Sequence, residues 1–488
     1  MDDLTRLANG VVWPGFLGGD VPRWLEDELR SGLAGVVYFA QNLHGDTAAL
    51  SARIHAIAPH ALIGIDEEGG SVTRLETGTG STVPSAAQLG MLDDVDATQD
   101  TAAEIARRCA AVGVDVVLAP VADVNTDPRN PVIGTRAFGS DTAVVSRHVA
   151  AAVRGIQGAG IAACAKHYPG HGDTHTDSHH DLPRVDATAE EMAQTHLPPF
   201  SAAVQAGVRA IMTAHIAVPA WGETPATLNP AVLGMLRDEG FDGVIVTDAL
   251  DMAAIRETVG IGGGAVRALA AGADLLCVGN PTNPGPAMLP DQDERDFRAA
   301  RDAIVAALRS GELSRERVEE AAARVARMAE DLASSRGDRQ GGALNAESIV
   351  RRAIAVQGEL PAYADLPTDV IDVRRPSSLA VDSAAGHVAS TLAAGGRVVR
   401  LDAETADDAA VADIAVGASR QRSILLVDRL DESSAQRAVA SAIAGAAPDT
   451  AIVNVGVPGD GIPGAAVLDL AAASLIAAQV ARRMLTGN

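Results

Sequence analysis

Basic residues, cysteines and aromatic residues are all scarce in this chain of 488 residues. Its 39 Lys and Arg residues stand against 63 Asp and Glu residues, which gives a formal net charge of -24 at pH 7. A charge of that sign repels phosphate backbones and anionic membrane surfaces, so neither nucleic acid nor a membrane is an expected partner. The cysteines lie far apart, which argues against a disulfide framework or a CxxC metal site: they are Cys109, Cys164 and Cys277.

Long apolar runs and targeting signals are also missing from the sequence. No uncharged apolar stretch reaches the length of about 18 residues that would suggest a membrane span. The first residues, MDDLTRLANGVVWPGF, contain no basic head followed by an apolar segment and do not resemble a signal peptide. The composition of 47% hydrophobic and 21% charged residues is typical of a soluble globular protein. We therefore expect a cytoplasmic protein.

Short apolar runs alternate with helical periodicity through the first two thirds of the chain. Eight runs predict strands buried on both faces: Val11–Phe16, Gly35–Phe39, Ala61–Asp66, Val114–Asp123, Ile161–His167, Val208–His215, Gly243–Asp248 and Ala273–Gly279. Ala-rich amphipathic segments between them, such as 141–157 and 190–206, predict helices. Eight strand-helix units favour an α/β fold of the (β/α)8 TIM-barrel type, with an open doubly wound sheet as the alternative.

A change of composition predicts a domain boundary after the barrel. The segment SSRGDRQGGALNA is polar, Gly-rich and without periodicity, so we predict a TIM-barrel domain at 1–333, a linker at 334–346 and a C-terminal domain at 347–488. Apolar runs at 423–427 and 451–457 and Ala-rich segments at 434–446 and 472–485 predict a small α/β sandwich in the last part. This part contains no phosphate-binding fingerprint or histidine cluster, which favours a structural role.

Ionisable side chains stand at the ends of five predicted strands. They are Asp66 after strand three, Asp123 after strand four, Lys166 and His167 at the end of strand five, His215 after strand six and Asp248 after strand seven. In a barrel the carboxyl ends of the strands meet at one rim, where enzymes of this fold keep their active sites. We therefore expect these side chains to converge on a functional site.

The loop after strand five has the highest density of histidines in the chain. KHYPGHGDTHTDSHHDL contains five histidines, but its Pro and Gly residues oppose a helix, and no thiolate or HExxH pattern accompanies them. We therefore favour acid/base chemistry over metal ligation. Asp177 and His179 stand two residues apart, so in an extended segment the carboxylate can orient and charge-stabilise the imidazole. The alternative is a surface pair that caps a turn.

Asp248 ends an apolar strand in VIVTDALDM, with little other charge around it. A rigid strand end suits a nucleophile that needs accurate placement, although capping of the next helix by Thr247 or Asp248 is the alternative. A retaining glycosidase needs one carboxylate to attack the anomeric carbon and a second group to protonate the leaving oxygen. Asp248 and His179 would fill these two roles.

Four segments, in this order and spacing, resemble glycoside hydrolase family 3 and within it the NagZ-type β-N-acetylglucosaminidase branch. They are IDEEGGSVTRL, NPVIGTRAFGSD, KHYPGHGDTHTDSH and VTDALDM. The resemblance implies a TIM barrel and a two-step retaining mechanism with Asp248 as nucleophile, His179 as acid/base and Asp177 as its orienting partner. It also implies contacts to the sugar from Asp66, Arg74, Arg136, Lys166 and His167. No metal or organic cofactor is implied.

Three readings of the function follow from this resemblance. The first is hydrolysis of small N-acetylglucosaminides from cell-wall or chitin turnover, and the aromatic content of 2% favours such short substrates over long polysaccharides. In the second, inorganic phosphate replaces water and the enzyme is a β-N-acetylglucosaminide or β-glucoside phosphorylase, because a histidine does not repel an anion as a carboxylate would. The third is a non-catalytic sugar-binding barrel, which the presence of Asp248, Asp177 and His179 disfavours.

Overall fold

The computed structural model describes residues 2–174, 182–336, 344–375, 383–420 and 422–487. The strands are β1 (Val12–Pro14), β2 (Gly35–Tyr38), β3 (Leu62–Ile65), β4 (Val116–Val117), β5 (Ala162–Tyr168), β6 (Ala210–Thr213), β7 (Val244–Val246), β8 (Leu276–Gly279), β9 (Ala355–Gln357), β10 (Asp369–Asp372), β11 (Val398–Arg400), β12 (Ser423–Val427), β13 (Ala451–Asn454) and β14 (Ala466–Asp469). The α-helices are α1 (Asp3–Asn9), α2 (Arg23–Arg30), α3 (Thr47–Ile57), α4 (Ala86–Leu92), α5 (Val95–Ala111), α6 (Thr142–Gly158), α7 (Ala189–Glu191), α8 (Pro198–Gln205), α9 (Pro230–Asp238), α10 (Ala253–Arg256), α11 (Gly260–Ala271), α12 (Gln292–Ser310), α13 (Arg315–Ser334), α14 (Ala346–Ala353), α15 (His387–Ala393), α16 (Asp408–Arg420), α17 (Ala435–Ala446) and α18 (Leu475–Thr486).

The chain folds into two compact units. The first consists of Met1–Glu67, Thr98–Pro131 and Ser140–Ala343, and the second of Glu68–Ala97, Val132–Gly139 and Leu344–Asn488. The second unit therefore takes two segments from the part of the sequence that we assigned to the barrel. The last change of unit, between residues 343 and 344, falls within the predicted linker.

The first unit contains a curled sheet of parallel strands. Strands β2 to β7 pair in chain order, β1 pairs with β8, and a single parallel bridge joins Val246 at the end of β7 to Leu275 just before β8. Each of the eight predicted strands overlaps one of these observed strands, and β5 extends one residue beyond its predicted end at His167. The order contains no reversal, unlike that of a doubly wound sheet, so the alternative prediction was wrong. The strands are buried along their length because helices follow them along the chain.

Two elements of the first unit differ from prediction because proline residues interrupt their backbone hydrogen bonds. Strand β4 ends at Val117, since Pro120 has no N–H to donate to a continuing ladder. The helix expected over 190–206 is divided into α7, a π-helical turn (Met192–His196) and α8, because Pro198 and Pro199 interrupt the helical hydrogen bonds. Helix α6 forms as predicted, and Asp141 caps its first turn by accepting from the Val144 N–H.

A buried charge cluster fixes the amino ends of β7 and β8. Asp274 is fully buried, and its carboxylate accepts from the Ile245 N–H at 2.9 Å, from the Arg317 guanidinium at 2.6 Å and from Arg237. Arg324 lies 3.6 Å away. The negative charge therefore compensates several partly buried cations.

The Asp274→Asn variant is expected to lose about 2 to 3 kcal/mol of unfolding free energy, because partly buried guanidinium groups lose their counter-charge. Urea denaturation followed by circular dichroism measures this loss. Asp242→Asn is the matched control, since that carboxylate is 79% exposed and pairs with Arg324 at 3.3 Å, and less than about 0.5 kcal/mol is expected. Equal losses in the two variants would contradict the role of the buried charge.

The second unit contains a six-stranded sheet in the order β11-β10-β12-β13-β14-β9, parallel except for β9. Alternate residues of its strands belong to two hydrophobic clusters: Ile424 and Leu426 to one, Leu425 and Val427 to the other. Both faces of the sheet are therefore covered. Strand β12 and helix α17 form where the sequence predicts them, whereas β13 ends at Asn454, three residues early.

Hydrogen bonds explain why residues 68–97 belong to the second unit. The Ser85 hydroxyl and the Gln88 amide donate to the carbonyls of Ala471 and Leu470, each at 2.8 Å. The Ala473 N–H donates to the Ser71 hydroxyl at 3.0 Å. These partners are about 400 residues apart in sequence, so no local pattern predicts them.

Within the described residues, we find no helix with the length and hydropathy of a membrane span.

Candidate active site

Polar residues of the first unit gather at the carboxyl ends of its parallel strands. Asp66 directly follows β3, Asp123 comes after β4, Lys166 and His167 lie near the end of β5, and Asp248 follows β7 after one intervening residue. Because the strands are parallel, these ends lie on the same side of the sheet. This placement matches the sequence-based expectation.

Lys166 and Asp66 form an ion pair between two strands that both flank β4. The Lys166 Nζ lies 2.5 Å from the Asp66 Oδ1, and the lysine side chain is only 3% exposed. Lys166 is also the single lysine of the chain, in which every other basic side chain except histidine is arginine. A compact ammonium group is therefore placed at this buried position and nowhere else.

The Lys166→Arg variant is expected to lose about 10²-fold in kcat/KM on an N-acetylglucosaminide substrate, since a planar guanidinium cannot occupy the ammonium position without moving Asp66. Steady-state kinetics measure the loss. Arg184→Lys is the control, because Arg184 forms an exposed pair with Glu223, and its activity is expected to stay within about twofold. Full activity of the arginine variant would mean that only the positive charge matters.

Asp123 is a fully buried carboxylate that holds the start of the histidine-rich loop. Its Oδ2 lies 2.8 Å from the His167 Nδ1, and its Oδ1 accepts from the backbone N–H groups of His171 at 2.7 Å and His167 at 3.3 Å. Burial raises the pKa of Asp123, but the charges and hydrogen bonds of His167 and His171 outweigh it, so that the pKa lies below its usual value. The carboxylate is therefore ionised at neutral pH.

Two glycines allow this loop to pack against Asp123. A Cβ on Gly172 would lie 1.9 Å from the Val124 carbonyl oxygen, and Gly170 has a φ of +127° and lies against the His196 side chain. The loop also buries His171, whose pKa is lowered to about 4 by burial and by the neighbouring His167. His171 is thus neutral at pH 7, and its Nδ1 lies 2.9 Å from the Thr174 hydroxyl.

Asp248 is half-buried, and its Oδ1 accepts from the Ala249 N–H at 2.8 Å. The Ala249 carbonyl accepts in turn from the Nε2 of the buried His215 at 2.9 Å, so the histidine after β6 supports the turn that carries Asp248. The Thr247 hydroxyl accepts from the Cys277 N–H at 3.0 Å, which ties the same turn to β8. Both neighbouring strands therefore position the carboxylate.

The pKa values of two buried thiols, Cys164 and Cys277, are raised by burial and by neighbouring carboxylates. Burial is the main reason that the pKa of Cys164 rises to about 12; Lys166 opposes the rise, and Asp66 and Asp248 add to it. Burial likewise raises the pKa of Cys277, and the carboxylates of Asp248, Asp251 and Asp66 contribute. The carboxylates of Asp66 and Asp248 therefore both raise the pKa of these two thiols.

Arg74 and Arg136 belong to the second compact unit. Arg136 forms a bidentate ion pair with Glu68, with distances of 2.9 and 2.8 Å, and its third guanidinium nitrogen donates to the Val132 carbonyl at 3.0 Å. Arg74 is buried as well. The structure thus brings Asp66, Lys166, His167 and Asp248 together in the first unit, and it assigns the two arginines to the second.

Asp177 and His179, the predicted acid/base pair, lie outside the described residues. Their roles stay predictions. Within the described parts of the chain, no group of three His, Cys, Asp or Glu side chains is arranged to hold a metal ion.

Sequence reasoning placed Asp123 among the strand-end residues of the expected site but assigned it no individual role, and it did not single out Glu68. The structure pairs these two residues with His167 and Arg136. A signal for Asp123 was present, since it ends a predicted strand as Asp66 and Asp248 do. Glu68 gave no comparable signal, because it is one of two consecutive glutamates in IDEEGG and only the fold shows which one faces Arg136.

Comparisons with known proteins relate this chain to one family of glycoside hydrolases. The model of the glycosyl hydrolase family 3 N terminal domain matches residues 23–328. A beta-hexosaminidase of Chromobacterium violaceum is 39% identical over 268 residues, covering 53% of this chain and 74% of that protein. Beta-hexosaminidase LpqI of Mycobacterium tuberculosis is 35% identical over 277 residues, covering 54% and 67%. The solved structure of a family 3 beta-N-acetylglucosaminidase from Paenibacillus superposes with a TM-score of 0.84 at 32% identity, covering 100% of this chain and 97% of that one.

Proposed function

Because this chain belongs to glycoside hydrolase family 3, we propose that it is a retaining β-N-acetylglucosaminidase, or β-N-acetylhexosaminidase, that removes terminal β-linked N-acetylglucosamine from small glycosides. The observation that carries the proposal is the half-buried Asp248 carboxylate after β7, on the same side of the parallel sheet as the Asp66–Lys166 pair. The names of the relatives from Chromobacterium and Paenibacillus support the same activity. We also propose that the curled sheet completes a (β/α)8 barrel, and that residues 347–488 form most of an α/β sandwich domain that residues 68–97 and 132–139 join.

In the proposed first step, an Asp248 oxygen attacks the anomeric carbon and forms an ester bond to the sugar. The bond between that carbon and the glycosidic oxygen breaks, and His179 gives its proton to the leaving oxygen. Asp177 orients His179 and stabilises its cationic form. Lys166 and Asp66 donate and accept hydrogen bonds with the sugar hydroxyls, and Arg74, Arg136 and His167 complete the binding of the sugar.

In the second step, His179 removes a proton from water, and the water oxygen attacks the anomeric carbon from the face opposite Asp248. The ester bond breaks and returns the electron pair to Asp248. Two inversions at the same carbon give a product of retained β configuration. This chemistry requires only side chains of the protein and water.

The test is to incubate the protein with nitrophenyl β-N-acetylglucosaminide in phosphate buffer and to follow the sugar product by proton NMR. We expect β-N-acetylglucosamine to appear first and to mutarotate later. The α-anomer as first product would contradict a retaining mechanism, and a sugar 1-phosphate would instead support the phosphorylase alternative. Release from the glucoside alone would show that the proposed sugar specificity is wrong.

The cellular role is part of the same proposal. We propose a cytoplasmic enzyme that recovers N-acetylglucosamine during cell-wall recycling, acting on small muropeptide-type or chitobiose-type substrates. Fractionation of cells and assay of each fraction with such a substrate would test the location. Activity confined to an extracellular fraction would contradict it.

A further inference from the structure

The buried pair of Asp123 and His167 has a defined hydrogen-bond polarity. The Asp123 Oδ1 already accepts from two backbone N–H groups, so only Oδ2 remains for the His167 ring, 2.8 Å from Nδ1. An ionised carboxylate can only accept hydrogen bonds. The Nδ1 atom of His167 therefore carries the proton, and in the neutral ring Nε2 is the acceptor.

We propose that Asp123 is a positioning residue of the sugar site, which fixes His167 as the Nδ1–H tautomer so that Nε2 can accept a hydrogen bond from a sugar hydroxyl. This inference rests on the proposed function, in which His167 contacts the sugar. Asp123 itself lies beneath the histidine, fully buried, and acts only through it. The same carboxylate also accepts a hydrogen bond from the His171 N–H. Asp123 therefore fixes both the position of the first residues of the loop and the tautomer of His167.

An asparagine at position 123 would reverse this polarity. Its amide oxygen must face the two N–H donors of His167 and His171, because the amide nitrogen would repel them. The amide NH2 then replaces Oδ2 and donates to the His167 Nδ1, which forces the proton to Nε2. The His167 Nε2, which accepts from the sugar hydroxyl in the unmodified protein, becomes a donor. The side chain at position 123 meanwhile keeps nearly the same shape.

The chain offers a matched control at the other end of the same strand. Asp115 precedes β4, is also buried, and faces a histidine: its Oδ2 lies 3.0 Å from the His55 Nε2 and accepts from the Ile63 N–H at 3.0 Å. Its Oδ1 accepts from Arg336 at 2.8 Å. Asp115 therefore shares the burial and the histidine partner of Asp123 but lies at the amino ends of the parallel strands, away from the site.

The direct test is nitrogen-15 NMR of the protein labelled in histidine, with the His167 resonances identified by their loss in His167→Gln. We expect a protonated Nδ1 and an unprotonated Nε2 in the neutral ring of the unmodified protein, and the opposite tautomer in Asp123→Asn. Asp115→Asn should leave the His167 signals unchanged. A protonated Nε2 in the neutral ring of the unmodified protein would overturn the proposal, even if the Asp123→Asn variant did not fold.

A double-mutant cycle tests whether Asp123 acts through His167. We expect Asp123→Asn to lower kcat/KM roughly 10- to 100-fold in the unmodified enzyme, but less than about threefold when His167 is already glutamine. Asp115→Asn should change kcat/KM less than about threefold, whatever its effect on the urea midpoint. Equal losses from Asp123→Asn on the two backgrounds would overturn the proposal.

The two readouts separate this inference from the proposed function. If the unmodified protein released no N-acetylglucosamine, the proposed activity would fail, whereas the tautomer of His167 would still be read by NMR. If the activity is present and the tautomer is reversed, the activity stands and the role of Asp123 is wrong.

Discussion

The Asp248→Ala variant is expected to lose at least about 10³-fold in kcat/KM on nitrophenyl β-N-acetylglucosaminide, because no carboxylate remains to attack the anomeric carbon. Stability should change little, since Asp248 is half-buried and the N–H that donates to its Oδ1 belongs to the adjacent residue, Ala249. Steady-state kinetics and a urea titration of the same preparation measure the two quantities separately.

Azide distinguishes a nucleophile from a structural carboxylate at this position. In Asp248→Ala, azide can enter the vacated space and attack a dinitrophenyl substrate from the face that Asp248 used, which gives an α-glycosyl azide. Asp242→Asn is the control, because this exposed residue lies at the other end of β7 and should retain full activity. A β-glycosyl azide, or an alanine variant as active as the unmodified enzyme, would remove the nucleophile assignment.

The His179→Ala variant should lose activity according to the leaving group of the substrate. For a sugar leaving group, as in N,N′-diacetylchitobiose, we expect a loss of about 10² to 10⁴-fold, since the departing alkoxide needs a proton in the transition state. For dinitrophenol, which leaves as a stable anion, the loss in the glycosylation step should be much smaller. Pre-steady-state release of dinitrophenol measures that step directly.

Asp177→Asn should show the same dependence on the leaving group with a smaller loss, because the histidine remains but loses its orienting charge. His180→Ala is the matched control for position in the loop and should behave like the unmodified enzyme. Equal losses on both substrates for His179→Ala would contradict the acid role. A large loss in the His180 variant would mean that the wrong histidine had been chosen.

The strand ends show how far sequence reasoning reached into the site. Each apolar run that predicted a strand overlaps an observed strand, because burial on both faces requires a run of consecutive apolar residues. Asp66, Lys166, His167 and Asp248 could be placed at one edge for the same reason. The prediction was less accurate where proline altered the hydrogen bonding, at β4 and in the helix before β6.

The partners of these residues could not be predicted in the same way. Asp66 and Lys166 are 100 residues apart, and Asp123 and His167 are 44 apart, so their pairing depends on the register of neighbouring strands. The assignment of residues 68–97 to the second unit depends on hydrogen bonds to residues 470–473. The loop with Asp177 and His179 lies outside the described residues, so for that pair the sequence is still the only source.

The sequence by itself determined the strand positions, the family motifs and the carboxylate at the end of β7, because these depend on the order of neighbouring residues. Tertiary structure decided which histidine Asp123 orients, which glutamate pairs with Arg136, and which unit each arginine joins. The physical reason is that hydrophobic periodicity specifies which face of an element is buried. It does not specify which side chain from a distant element will complete a hydrogen bond there.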